Sequence, residues 1–278
     1  MNELILNHDK VLELLPNRDP WAHKGNFGRL LLICGSRGYT GAAALAAMGS
    51  LRCGGGLVYL GVPESIYAIE AVKLTEAIVF PLPDEDGTLS PKASTELLPL
   101  LSKMDVVLIG PGLGQSEGTL AALKTVMEHF PGPVVVDADG INLLARHKDL
   151  LRRRDAVTVL TPHPGEYARL APEHPHGAVE FAREYGCILV LKGHETLITD
   201  GVRCYRNTTG NPGMAVGGSG DVLAGMITAL LAQGLAPLEA SAAAVWLHGA
   251  AGDLSAGRLG QYAMLPTDLL EDLPRLLK

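Results

Sequence analysis

Short runs of branched apolar residues, each ending in a turn of glycine, proline or acid and then a helix-length segment, recur along this chain and limit what it can fold into. Arg29–Cys34 (RLLLIC) runs into Gly35-Ser-Arg-Gly-Tyr-Thr-Gly41 and the alanine-rich stretch AAALAAMGSLRCG. Asp105–Gly110 (DVVLIG) ends in Pro111-Gly-Leu-Gly114, and Pro133–Asp139 (PVVVDAD) ends in two acids. Ala156–Thr161 (AVTVLT) delivers Pro162-His-Pro-Gly-Glu166, and Cys187–Lys192 (CILVLK) delivers Lys-Gly-His-Glu-Thr196. Runs apolar at every position suit strands covered on both faces, and their alternation with helices suits a mostly parallel sheet. The expected fold class is therefore α/β, with three α/β/α layers in a single domain over 1–278 and no repeat or linker to divide it. In such sheets ligands bind beyond the carboxyl ends of the strands, where these turns gather.

Around this frame, residues 3–15 carry a helical apolar pattern that ends at Pro16 and suits a cover over one edge of the domain. Gly56–Gly61 reads as a strand with a helix over Glu64–Lys73 behind it; EAIVFPLPDEDGTLSPKAS reads as a strand and then a loop, with Asp84, Glu85 and Asp86 in a solvated turn. Further helices are expected over Thr95–Leu101, Thr119–Phe130, Ala178–Tyr185, Leu238–Leu254 and Leu265–Leu277, and Asp200-Gly201 marks a hairpin. The alanines of the closing helices suit either internal packing or a closed interface between copies. Trp246 and His248 read as packing residues in one of those helices.

The richest stretch chemically is Asn207-Thr-Thr-Gly-Asn-Pro-Gly-Met-Ala-Val-Gly-Gly-Ser-Gly-Asp221, which continues as VLAGMITALLAQG. Gly217, Gly218 and Gly220 allow a tight turn and close backbone approach to a phosphate, and the following helix points its positive end the same way. Asp221 is the odd member, because a pure phosphate cradle does not call for a negative group. Two readings fit it: a base that takes the proton of an attacking hydroxyl in group transfer, or a first-turn acid at a helix start. Lys192, at a strand end, suits a phosphate. His163, fixed between prolines, suits a ligand contact or simply a rigid turn. Asp137 suits metal or phosphate-side electrostatics, while Asp139 is best explained as a cap on the GINLLAR helix. The turn after Cys34 lacks the spacing of a dinucleotide fingerprint.

Composition excludes several classes. With 47% apolar and 19% charged residues the chain is not largely disordered, and a net charge of -7 without a basic block argues against nucleic acid. Cys34, Cys53, Cys187 and Cys204 are widely spaced without a metal-ligand pattern, which fits reduced, buried thiols. The start MNELILNHDKVLELL lacks the basic leader and apolar run of a signal peptide, and no apolar run reaches membrane-spanning length. A cytoplasmic protein without membrane contact is expected.

Taken in order, GPGLG at 110–114, DADGINLLA at 137–145, TPHPGE at 161–166, KGHETLI at 192–198 and GNPGMAVGGSGDVLAG at 210–225 resemble the nucleotide-dependent NAD(P)H-hydrate dehydratases of the ribokinase-like superfamily. The resemblance extends from His23-Lys-Gly-Asn-Phe-Gly28 to the last helix; Val216 and Ser219 are mild variations in the glycine loop. It implies repair of hydrated NADH or NADPH (NADHX, NADPHX) by phosphoryl transfer from ADP, or from ATP, to the ring hydroxyl and loss of phosphate. By resemblance Asp221 is the catalytic base and also contacts the hydrated ring. Lys192, Gly193, His194, Glu195 and Thr196 match the segment that meets the adenylate portion of the donor, with Gly220 beside them. Ala43, Gly112 and His163 match the surface that receives the hydrated cofactor, Ala42 and Ala44 being the neighbouring registers for the first. Asn142 and Glu166 are candidates to position substrate, water or magnesium. Mg2+ is expected with the nucleotide rather than in a protein cage, so no metal-ligand residues are assigned. The resemblance also implies a homo-oligomer, a tetramer among the options, and an epimerase supplied separately because 278 residues leave no length for that domain. The rival readings are a small-molecule kinase of the same superfamily, acting on a vitamin precursor or sugar, and a nucleotide-binding protein without catalysis.

Overall fold

The all-apolar runs become strands because both their faces are covered. A computed structural model describes residues 3–278, so positions 1 and 2 of the expected domain lie outside the described residues. The strands in chain order are β1 (Glu3–Leu4), β2 (Arg29–Ile33), β3 (Leu57–Pro63), β4 (Ile78–Leu82), β5 (Asp84–Glu85), β6 (Thr88–Leu89), β7 (Val106–Ile109), β8 (Val134–Val136), β9 (Thr158–Leu160), β10 (Ile188–Leu191), β11 (Leu197–Thr199) and β12 (Cys204–Arg206). The helices are α1 (His8–Leu14), α2 (Thr40–Arg52), α3 (Glu64–Lys73), α4 (Ala93–Leu101), α5 (Glu117–His129), α6 (Asp139–Leu144), α7 (Asp149–Arg152), α8 (Pro164–Leu170), α9 (Ala178–Tyr185), α10 (Ser219–Ala232), α11 (Pro237–Leu259) and α12 (Pro266–Asp272).

Among the described residues one sheet of ten strands runs in the order β1-β12-β11-β10-β9-β8-β7-β2-β3-β4. From β10 across to β4 every neighbouring pair is parallel, while β11 and β12 form the antiparallel hairpin expected at Asp200-Gly201. Alternate residues of each strand serve opposite layers. Leu30, Leu32 and Cys34 pack with α2, α10, α11 and α12, whereas Leu31 and Ile33 pack with α4, α5, α8 and α9. This is the expected three-layer α/β/α architecture. The four cysteines are buried and free.

Three local expectations change. Residues 3–15 are not one helix: Glu3–Leu4 adds a parallel edge strand to β12, and the helix starts only at His8, where the Asn7 side chain caps Lys10 N. Arg206 holds that strand through a two-pronged contact with Glu3, at 2.5 and 2.6 Å. The acidic turn at 84–86 is a small hairpin of β5 and β6, and Gly87 O accepts from Arg37 N at 2.8 Å. The strand expected to reach Asp139 stops at Val136, because Ala138 turns to φ 52° and Asp139 already begins α6. At the other end of the chain, the alanines of α11 at 240, 242, 243, 244, 250 and 251 are buried within the protein, which favours their use in internal packing.

One helix crossing places the glycine loop. α10 is apolar on all sides and lies buried against α2, α11 and the sheet. At Gly225 an added Cβ would come within 2.1 Å of Ala46 O, and at Gly49 within 2.5 Å of Val222 O, so backbone meets backbone in both directions. The Ser50 hydroxyl fills the remaining polar gap, 3.0 Å from the carbonyls of both Ala46 and Gly225. Gly225→Ala gains about 1 kcal/mol of helix propensity but forces the helices apart. We expect a net loss of about 2 kcal/mol or more in denaturant unfolding, of the order seen for overpacked cores; unchanged stability would show that the helices can separate freely.

Candidate active site

The turns that follow the parallel strands converge at one edge of the sheet. Those after β2 and β7, strands that pair with each other, are joined directly: Gly35 N donates to Pro111 O and the Ser36 hydroxyl to Gly112 O, each at 2.7 Å. Asp139 does not cap its helix as expected. Being the first residue of α6, it reaches sideways, and its carboxylate accepts from Gly114 N at 2.8 Å, tying the turn after β7 to the end of β8.

His163 turns out to be the N-cap of α8. Its Nδ1 accepts from Gly165 N at 3.0 Å and from Glu166 N at 3.3 Å, while Glu166 Oε2 accepts from His163 N at 2.9 Å. The rigid-turn reading thus holds, and the ring is also presented outward, with half its side chain exposed. Because Nδ1 accepts, a neutral ring carries its proton on Nε2.

The charged centre is built from three elements. Lys192, at the end of β10, donates to Asp137 Oδ1, just beyond β8, at 2.9 Å, and that carboxylate is 1% exposed. The start of α10 closes over this pair: a Cβ on Gly220 would lie 3.2 Å from Lys192 Nζ and 3.9 Å from Asp137 Oδ2. Gly218, with φ 103°, makes the turn into the helix in a conformation that side-chain-bearing residues resist. Asp221 follows in the first turn. Burial, reinforced by the charge of Asp137 and opposed by Lys192, pushes its carboxyl up to about 7, with Glu166 adding to the rise. Burial pulls the Lys192 ammonium down, but Asp137 outweighs it and the net direction is upward.

Beside this centre opens a cavity of about 790 Å³, well within the range of small-molecule sites. Lys192, Gly193, His194, Glu195, Thr196 and Gly220 line it, so the residues matched to the nucleotide do share one space. His163 lines it too. Ala43 and Gly112 do not, and neither do Gly217, Gly218 or Asp221. Ala43 is fully buried under Gly35, whereas Ala42 is part-exposed and is the alanine that faces Gly112. Asn142 lies outside as well; its side chain accepts from Arg169 Nε at 2.9 Å. The roof is the loop over residues 207–215, pinned to α11 where Thr209 Oγ1 donates to Trp246 O and where Gly210 N and Asn211 Nδ2 donate to Asp253. The sequence reading missed the back wall. Leu223, Val245 and His248 come from helix interiors, and the one available signal was a lone histidine in an apolar helix. Trp246, by contrast, packs as expected, stacked on His8 at 5.7 Å.

The profile of the family described as NAD(P)H-hydrate dehydratase matches residues 30–275. This chain belongs to that family. Over 275 residues it is 45% identical to the bifunctional NAD(P)H-hydrate repair enzyme Nnr of Moorella thermoacetica, covering 95% of this chain and 52% of that protein. The chain therefore spans about half the length of the curated relatives it matches. The ADP/ATP-dependent NAD(P)H-hydrate dehydratase of Bacillus subtilis, co-crystallised with ATP and Mg2+, is 31% identical, with a TM-score of 0.80 over 99% of this chain and 98% of that one. A ribokinase-like superfamily protein of Enterococcus faecalis, also 31% identical, gives a TM-score of 0.84 over 98% of this chain and 94% of its own.

Within this dehydratase-family site, the described residues contain no group of three His, Cys, Asp or Glu side chains arranged to hold a metal. No helix among them is long and apolar enough to cross a membrane. The donor set suits a magnesium that arrives on phosphates: Asp137, Glu166 and Asp221 influence one another electrostatically, and Lys192 offsets only part of their charge. The same crowding affects stability. A carboxyl raised from 3.8 to about 7 favours the folded state fully only below the unfolded value, and this contribution is lost as pH rises through about 7. We expect Asp221→Asn to be more stable than the parent at pH 8 by on the order of 1–2 kcal/mol, below the full shift because solvent reaches the group. The gap should close near pH 4; equal melting temperatures at both pH values would contradict the burial of charge.

Proposed function

We infer that this chain restores hydrated NADH and NADPH by phosphorylating the C6 hydroxyl from ADP and eliminating phosphate, leaving AMP, phosphate and the reduced cofactor. The observation that carries this reading is the junction at Gly220, where a nucleotide-sized cavity meets a helix start and the next residue is a half-buried carboxylate with a raised proton affinity. A phosphate cradle alone would not place an acid there.

The residues divide the work. Backbone N–H groups at the start of α10, free of intrahelical acceptors, receive the oxygens of the transferring phosphoryl, and Lys192 adds a point charge. Asp221 takes the hydroxyl proton as that oxygen bonds to the terminal phosphorus of ADP; the bond from this phosphorus to the bridging oxygen breaks and AMP leaves with the electron pair. The C6–O bond then breaks, phosphate departing with its pair while the ring-nitrogen lone pair compensates. Loss of the C5 proton restores the ring double bond. Magnesium carried on the nucleotide offsets phosphate charge. On the same reading His163 meets the hydrated cofactor together with Gly112 and the alanines at the start of α2, although its Nε2 stands 3.5 Å from Glu166 Oε1. We further propose a cytoplasmic homo-oligomer, with the epimerising activity lying outside these 278 residues.

The test is absorbance at the reduced-nicotinamide band, with hydrated NADH and Mg2+ in the presence of ADP, ATP or no nucleotide. A rise that requires nucleotide, strongest with ADP, is expected. No rise with either nucleotide and fresh substrate of the correct epimer would overturn the reading in favour of a kinase acting on another hydroxyl. Asp221→Asn should keep ADP binding within a few-fold and lose about 100-fold or more in turnover. In the parent, kcat/KM should fall about tenfold per pH unit below about 7, where Asp221 protonates.

A further inference from the structure

The back wall of the cavity contains a polar atom that nothing among the described residues satisfies. His248, in the middle of α11, is 8% exposed and lines the cavity, yet its Nε2 has no hydrogen-bond partner. A buried polar group left unpaired is costly, and native structures rarely keep one without a purpose. Here the atom belongs to a ligand-sized space.

The state of the ring decides what it can accept. Burial pushes the imidazole down to about 4, and Lys192 acts in the same direction, so the ring is neutral and has a single N–H. The Ser219 backbone beside the ring acts the other way and favours the protonated form. A backbone group with that effect is a carbonyl, toward which the ring N–H points. Its one proton is engaged there, and Nε2 is left with a bare lone pair.

Phosphates cannot supply that lone pair with a donor, and their place is fixed at Lys192 and Gly220. Met214, Leu223 and Val245 also line the cavity and suit a flat base, while Glu195, Thr196 and Thr208 offer polar groups to a sugar elsewhere on its wall. An amino group on the edge of a base meets both conditions. We propose that His248 selects the base of the donor nucleotide, its Nε2 accepting a hydrogen bond from an exocyclic amine, so that an amino-bearing purine is preferred over an oxo-bearing one. This rests on the nucleotide reading of the cavity and adds a specificity-determining residue to it.

Calorimetric titration of the parent protein, with Mg2+, compares ADP with the diphosphates of inosine and of purine riboside, which carry oxygen and hydrogen in place of the amine. Removing one hydrogen bond should weaken binding about tenfold for the purine riboside nucleotide, and more for inosine, whose oxygen would face the lone pair. In His248→Leu the preference for ADP over the purine riboside nucleotide should fall within about twofold, and His248→Gln, which retains an acceptor, should restore part of it. A purely structural role would weaken all three ligands alike. Equal binding of ADP and its desamino analogue by the parent overturns the inference even if the leucine variant fails to fold, as does an undiminished preference in that variant. A ribose contact, seen as selective loss of 2′-deoxy-ADP binding in the parent but not in His248→Leu, overturns it too. If no nucleotide binds the parent, the reading of the cavity fails first, an outcome distinct from ADP binding without base preference.

Discussion

The contact between α10 and α2 sets the position of everything at the crevice. α10 is buried along its length, so it cannot adjust by sliding into solvent; its depth is limited by backbone atoms at Gly225 and Gly49. Its first turn consequently lands on the Lys192–Asp137 pair, and Asp221 is fixed relative to strand ends that belong to other βα units. A phosphate cradle on a flexible loop would not have that accuracy. Precise placement here comes from packing about one helical turn away from the chemistry, since Gly225 lies four residues beyond Asp221 at about 1.5 Å per residue.

Charge at the site is deliberately unbalanced in favour of acid. Asp137 is held by Lys192, but burial and the neighbouring carboxylates of Asp137 and Glu166 press Asp221 toward its protonated form. The fold loses stability at neutral pH by ionising Asp221, and in exchange has a proton acceptor whose affinity for protons is near the working pH. His248 is the opposite case. It is buried enough to stay neutral, and its usefulness lies in hydrogen-bond direction rather than in charge.

Much of this was legible in the sequence because the relevant signals are local. Strands such as RLLLI and VVLI are apolar at every position, which only a sheet covered on both faces explains, and the turns that follow them hold His163, Lys192 and Gly112 in plain view. Asp221 stood out because it follows a glycine loop. What escaped depends on distance along the chain. β1 exists because Leu4 lies beside Tyr205, and neither segment announces the other. Asp139 looked like a cap because the residue it binds, Gly114, is on another loop. His248 carries the same pattern as any core histidine; only the arrangement of α10 against α11 turns it toward a cavity. Ala43 and Ala42 differ by 100° of helix rotation, and sequence alone does not choose between them.

The roof of the cavity and its back wall share a support. Trp246 and Asp253 anchor the loop over residues 207–215, while Val245 and His248 from the same helix form the wall behind it. Since α11 is a continuous 23-residue helix with most of its length buried, roof and wall keep a fixed separation. The cavity of about 790 Å³ stands open on that frame. A ligand therefore meets a preorganised site: little of its binding free energy goes into ordering a lid, and selectivity rests on fit to a standing shape rather than on a closure that the right molecule must trigger.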